Sequence, residues 1–214
     1  MLQRLINQAV KLPALLSRFD KLGQLASPSS YALTTQLRND FRDFIESLWK
    51  WESCLRSEES PPLYWVRPTH TRSHLETTKI LWYPNIMTAN SLTYCWAFEI
   101  IARRQLAILE TPTTGIHIIQ GLGSGFLDSR IDLHIPIESR EQRPVGVLAE
   151  MICDSVPYLL QPEFKLYGPG STFFTLPTAM RVFQDEPNLY SSQIVRCQSI
   201  IDHLASMGVF FPRT

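Results

Sequence analysis

The stretch IHIIQGLGSGF, residues 116 to 126, places Ile116, Ile118 and Ile119 ahead of Gly121, Gly123 and Gly125. Such glycines let a backbone approach a phosphate or an adenosyl cofactor when a parallel strand leads in and a helix N-terminus follows. Here the second half of that unit is missing. FLDSRIDLHIPIESREQRP, which runs from Phe126 to Pro144, has no helical period, and no acidic residue closes a second strand in a βαβ frame. Ser124 has glycines as its immediate neighbours, unlike the serine of a nucleophile elbow. The stretch therefore reads as a connection between helices, and no cofactor is expected.

His70 and His74 in PTHTRSHLE are four residues apart, a spacing that sets two imidazoles on one helix face and can begin a zinc site. A third ligand is lacking. Ser73 and Glu76 instead form the pattern of a capping box, which would leave His70 outside the short helix that it starts. His117, His134 and His203 are isolated, and Asp128 and Asp132 around Arg130 read as a solvated ion-pair cluster. Cys54, Cys95, Cys153 and Cys197 are too dispersed for a zinc knuckle, so buried free thiols are expected and no metal. Five tryptophans remain. Of these, Trp82 and Trp96, together with Tyr94, either pack the core or line an apolar ligand pocket. No catalytic residue can be assigned, because nucleophile, base and acid converge only in the fold.

The elements that must position these residues are mostly helical. Leucines and Ile6 recur at helical intervals over residues 2 to 19, with Pro13 forcing a break or a kink. ASPSS, 26 to 30, is a linker. From Tyr31 to Leu55 an apolar stripe of Leu33, Leu37, Phe41, Phe44, Leu48 and Trp51 opposes Arg38, Asp40, Asp43, Glu46 and Lys50, which predicts a long amphipathic helix. The prolines of 58 to 68 end it in a loop. A second long helix opens at Pro84 and runs to about Glu110, apolar on nearly every side, with Glu99 toward its least covered side and Trp96 and Ile100 inward. After a loop-rich segment, 111 to 144, helices are expected over 147–160, 175–183 and 189–207, the last stopped by Gly208. The fold class is all-α: an irregular multi-helix array around a long central helix, forming one domain over residues 1–214.

Composition narrows the function classes. Hydrophobic residues make up 44% of the 214 residues, enough for a core. Twenty basic residues balance twenty acidic ones, so the basic excess of a module that neutralises nucleic-acid phosphates is absent, and Arg103-Arg104 reads as a solvent-facing pair. The N-terminus lacks the pattern of a secretion signal, and TYCWAFEIIA is too short and too polar to span a bilayer. A soluble, intracellular protein with no membrane contact and no direct nucleic-acid binding is expected.

Three stretches together resemble one family. YPNIMTANSLTYCWAFEII, AEMICDSVPYLLQPEFKLYGPGSTFFTLPTAMRVF and CQSIIDHLASMGVFF, with KLPALLSRFDKL near the N-terminus, are similar in order to segments of the fungal-specific transcription factor domain. That domain is the regulatory region of fungal zinc-cluster factors. The resemblance implies an all-α, non-catalytic regulatory module that binds a small-molecule effector or a protein co-regulator, with nuclear localisation. The six cysteines that hold the family's DNA-binding zinc cluster are absent, so the chain is a fragment, a truncated paralogue or a stand-alone protein on the same scaffold. The alternative is an enzyme of fungal secondary metabolism with an aromatic-lined pocket on that scaffold.

Overall fold

The computed structural model describes residues 1–22, 30–58, 62–69, 78–111 and 143–209. The glycine stretch 116–126, the His70/His74 pair, the capping box at Ser73 and the ion-pair cluster around Arg130 lie outside these residues.

Helix α1 (Leu2–Ala9) and helix α2 (Leu12–Leu22) divide the first apolar stretch at Val10 and Lys11. Pro13 causes the division, since it sits in the first turn of α2 where its missing N–H has no intrahelical role. Helix α3 (Ser30–Glu58) buries Leu37, Phe41, Phe44, Leu48 and Trp51, whereas Leu33, one turn from its start, is 44% exposed. The inward stripe thus begins later than the periodicity indicates.

The prolines after α3 do end it, but the chain does not continue as a loop. Strand β1 (Trp65–Thr69) pairs antiparallel with strand β2 (Thr78–Trp82), with Trp65 opposite Trp82. Both strands of this ribbon are edges, which is why Pro68 is tolerated in one of them. It is the one departure from helix among the described elements, and the fold is all-α with a small β appendage.

Helix α4 (Ile86–Glu110) is the central helix, about 37 Å long at about 1.5 Å per residue. It starts two residues after Pro84. Asn85 is its N-cap, and the Asn85 side chain accepts a hydrogen bond from the Thr88 amide at 2.9 Å. At the other end, Arg38 Nε of α3 donates to the Leu109 carbonyl at 2.7 Å and satisfies one of the last orphan acceptors. The helix packs against α1 and α3 on one side.

On the other side lie helix α5 (Val145–Leu159) and helix α7 (Thr172–Asp185), which also pack on each other. A 3₁₀ turn (Pro162–Phe164) and the short helix α6 (Tyr167–Gly170) connect them. Helix α7 begins three residues earlier than expected and contains Pro177 in its interior. Helix α8 (Ser191–Ser206) closes on Gly208, whose φ of 84° is the left-handed conformation that a C-terminal glycine supplies. Gly208 N–H bonds the Ala205 carbonyl and Val209 N–H the Leu204 carbonyl, both at 3.0 Å, and the buried Val209 and Leu204 complete the motif. One connected apolar core runs from Leu5 to Val209, with Trp96, Phe41 and Phe183 its largest fully buried side chains.

Candidate functional site

Residues 94 and 96 stand on α4 about 200° apart, because each residue of an α-helix turns about 100°. Trp96 faces the core. It is fully buried, meets Tyr64 edge-on at 5.9 Å, and its indole Nε1 has no hydrogen-bond partner. Tyr94 faces the opposite way and stacks on Phe174 of α7 at 5.7 Å with an interplanar angle of 18°. Trp82, at the end of β2, lies edge-on to Tyr158 of α5 at 5.5 Å and carries the Arg67 guanidinium 4.1 Å from its ring centroid. Tyr94 therefore sits apart from the other two, whereas Trp96 and Trp82 are joined through ring contacts of Tyr64 with Tyr83 and of Tyr83 with Tyr158.

Tyr94 lines a cleft. A cleft of about 390 Å³ lies between α1, α4 and α6, lined by Leu2, Ile6, Asn90, Tyr94, Tyr167 and Gly170 among others. Asn90 is one turn before Tyr94 on the same face and only 2% exposed, and its carboxamide oxygen has no hydrogen-bond partner. A buried acceptor left without a partner costs about 1–3 kcal/mol, and the Asn90 oxygen is such an acceptor at the wall of the cleft. Two neighbouring polar groups are already engaged: Ser171 Oγ donates to the Gly168 carbonyl at 2.6 Å, and the Tyr167 hydroxyl to Met87 Sδ at 3.6 Å. The helix α6 that forms the rim is fixed by Gly168. A Cβ there would come within 1.9 Å of the Leu159 carbonyl oxygen.

A buried charge sits farther along α4. Glu99, expected toward the helix's least covered side, is fully buried instead. It accepts from Trp49 Nε1 at 2.9 Å and pairs with Arg103 at 2.6 Å. The Arg103 guanidinium lies 5.4 Å from the Trp49 ring centroid and also donates to the Arg143 carbonyl at 2.6 Å. Burial nevertheless raises the Glu99 carboxyl above its ordinary value of 4.5, against the attraction of Arg103, the Trp49 hydrogen bond and Arg143. Nor does the Arg103-Arg104 pair face solvent freely, since Arg104 is bound to Asp185 of α7 at 2.6 Å. Both arginines brace helices.

A second cleft of about 400 Å³ between α1 and α3 is lined by Arg4, Lys50 and Glu58 among others. Its cations are already paired, Arg4 with Glu58 at 2.6 Å and Lys50 with Glu46 at 2.7 Å. No disulfide joins the four cysteines, of which Cys54 is exposed and the other three buried. A hydrogen bond with Cys197 and burial push the Cys153 thiol well up, and burial does the same to Cys95, which makes both poor nucleophiles. Among the described residues no group of His, Cys, Asp and Glu is placed to hold a metal, and no helix is long and apolar enough to cross a membrane.

Reasoning from the sequence singled out Tyr94 but missed Asn90 and the burial of Glu99. A polar residue in an almost wholly apolar helix carries no periodic signature of its own. The sole hint was that α4 is apolar on nearly every side, which leaves little solvent for any polar residue that it does contain. No family model matches the chain, and neither a curated protein nor a solved structure does.

Proposed function

We propose that the chain is a non-catalytic helical regulatory module of the kind that fungal zinc-cluster transcription factors carry, and that it works in the nucleus by responding to a small-molecule effector. The observation that carries this reading is the cleft beside Asn90 and Tyr94 on the central helix. An effector held there touches α4, and α4 is packed against α1, α3, α5 and α7 at once. Binding energy at the cleft is thereby delivered to the element that the core is built around. The sequence stretches that resemble the family support the same reading, since they fall on α2, on α4, on α5 to α7 and on α8.

The test is a transcription reporter in a fungal host. The chain is fused to a heterologous sequence-specific DNA-binding module and compared with that module alone. A change in reporter expression of several-fold is expected on adding the chain. Equal expression from both, with the fusion present in the nucleus at equal abundance, contradicts the reading.

A further inference from the structure

The cleft between α1, α4 and α6 is specific enough in its chemistry to indicate what it holds. Among the described residues, no Asp, Glu, Lys, Arg or His side chain lines it. A charged ligand would lose its hydration there without a counter-charge, which is strongly unfavourable. Leu2, Ile6 and Leu166 supply aliphatic walls and Tyr94 an aromatic one. Its volume of about 390 Å³ falls in the range of about 300–1,000 Å³ that small-molecule sites occupy. Ser171 and Tyr167 donate their hydroxyl protons elsewhere, so among the described lining side chains the donors left for a ligand are the Tyr94 hydroxyl and the Asn90 carboxamide.

A carboxamide presents an acceptor and a donor side by side. Both are satisfied at once by a partner that carries a donor and an acceptor on adjacent atoms, as a lactam or cyclic imide does. Asn90 is 2% exposed and its oxygen has no hydrogen-bond partner within the protein, so a ligand edge at the cleft wall can complete it. We propose that this cleft binds a neutral, planar, largely apolar small molecule bearing a lactam-type donor–acceptor edge, with that edge on the Asn90 carboxamide and its ring against Tyr94. The proposal deepens the effector reading above and rests on it for its biological meaning, but the chemistry of the site is tested separately.

The probe is 2-quinolinone, a neutral bicyclic lactam, titrated into the full chain by calorimetry or by ligand-detected NMR. Two analogues accompany it: 2-methoxyquinoline, which keeps the ring but lacks the donor, and quinoline-2-carboxylate, which is charged. Saturable binding of 2-quinolinone is expected, with both analogues at least about tenfold weaker. Asn90→Leu should weaken 2-quinolinone by a similar factor and erase its advantage over 2-methoxyquinoline. Gly170→Phe supplies a variant whose backbone position tolerates a side chain, because a Cβ at Gly170 meets nothing within 4 Å. It fills the cleft from the rim and should abolish binding with an unchanged melting temperature. Absence of saturable 2-quinolinone binding, equal binding of the three compounds, or binding that survives Gly170→Phe each overturns the proposal. Probe binding by a chain that leaves the reporter unchanged would defeat the regulatory reading alone, and an active reporter without probe binding would defeat the site alone.

Discussion

At the scale of single residues, α4 carries its information in how completely it hides polar groups. Trp96 is among the largest fully buried side chains of the core, so Trp96→Ala should cost about 3–5 kcal/mol, read as a shift in a denaturant midpoint. Trp96→Phe should cost much less, because the indole nitrogen has no hydrogen bond to lose. A Trp96→Ala melt like that of wild type would remove Trp96 from the core account. Glu99 behaves differently with pH. Its carboxyl is raised above 4.5 in the folded state, so the folded chain holds the proton more tightly than the unfolded chain. The stability that this linkage supplies is full below about pH 4.5 and is lost as pH rises through the raised value. Wild type should therefore fall relative to Glu99→Gln between pH 4 and pH 8 in parallel urea titrations. A gap that widens in favour of wild type as pH rises would mean that the Arg103 pair outweighs burial. Asp154, also raised by burial against Arg196, is common to both chains and cancels in the difference.

At the scale of elements, caps and close approaches decide the boundaries, and these separate the legible from the illegible parts of the fold. Helices α3 and α4 were legible because each repeats its apolar pattern over many turns. The start of α4 was not, since Pro84 is a strong punctuator and drew the boundary away from Asn85, the residue that closes the first turn. Asn85→Ala should accordingly cost about 1 kcal/mol in chemical denaturation, whereas a cost near zero would take the cap away from Asn85. The start of α7 was not legible either, since Pro177 lies in the helix interior, where a proline ordinarily ends or kinks a helix. The β ribbon left no sequence signal: Pro68 argues against a strand, and what makes Trp65–Thr69 one is its pairing with Thr78–Trp82. Helix α6 was hidden in a glycine-proline run that ordinarily marks a turn. Its Gly168 allows a backbone contact, so Gly168→Ala should destabilise at or above the upper end of the about 1–3 kcal/mol typical of overpacking. The neighbouring Gly170→Ala should be close to neutral in the same thermal melt. Equal effects of the two substitutions would contradict the packing described for α6.

At the scale of the whole molecule, the balanced charge is organised into braces between helices: Arg18 to Asp40, Arg42 to Glu110, Arg104 to Asp185 and Arg196 to Asp154. Such pairs fix how helices sit against one another more than they add to stability, since exposed ones contribute at most about 1 kcal/mol each. The candidate site was only partly legible at this scale. Tyr94 could be named from its type, but its separation from Trp82 and Trp96 depends on helix phase and on the ribbon's position. Asn90 gained meaning only when α1 and α6 closed around it. What this arrangement offers is a central helix with its core on one face and a cleft on another, and under the proposed function occupancy of that cleft acts on the packing of the rest. The most direct measurement of that claim is reporter output from the DNA-binding fusion carrying either the wild-type chain or Gly170→Phe, with equal thermal melts and equal nuclear abundance. Filling the cleft should shift reporter output several-fold away from wild type and hold it there across growth conditions that move the wild-type response. Identical output from the two fusions under every condition would contradict it.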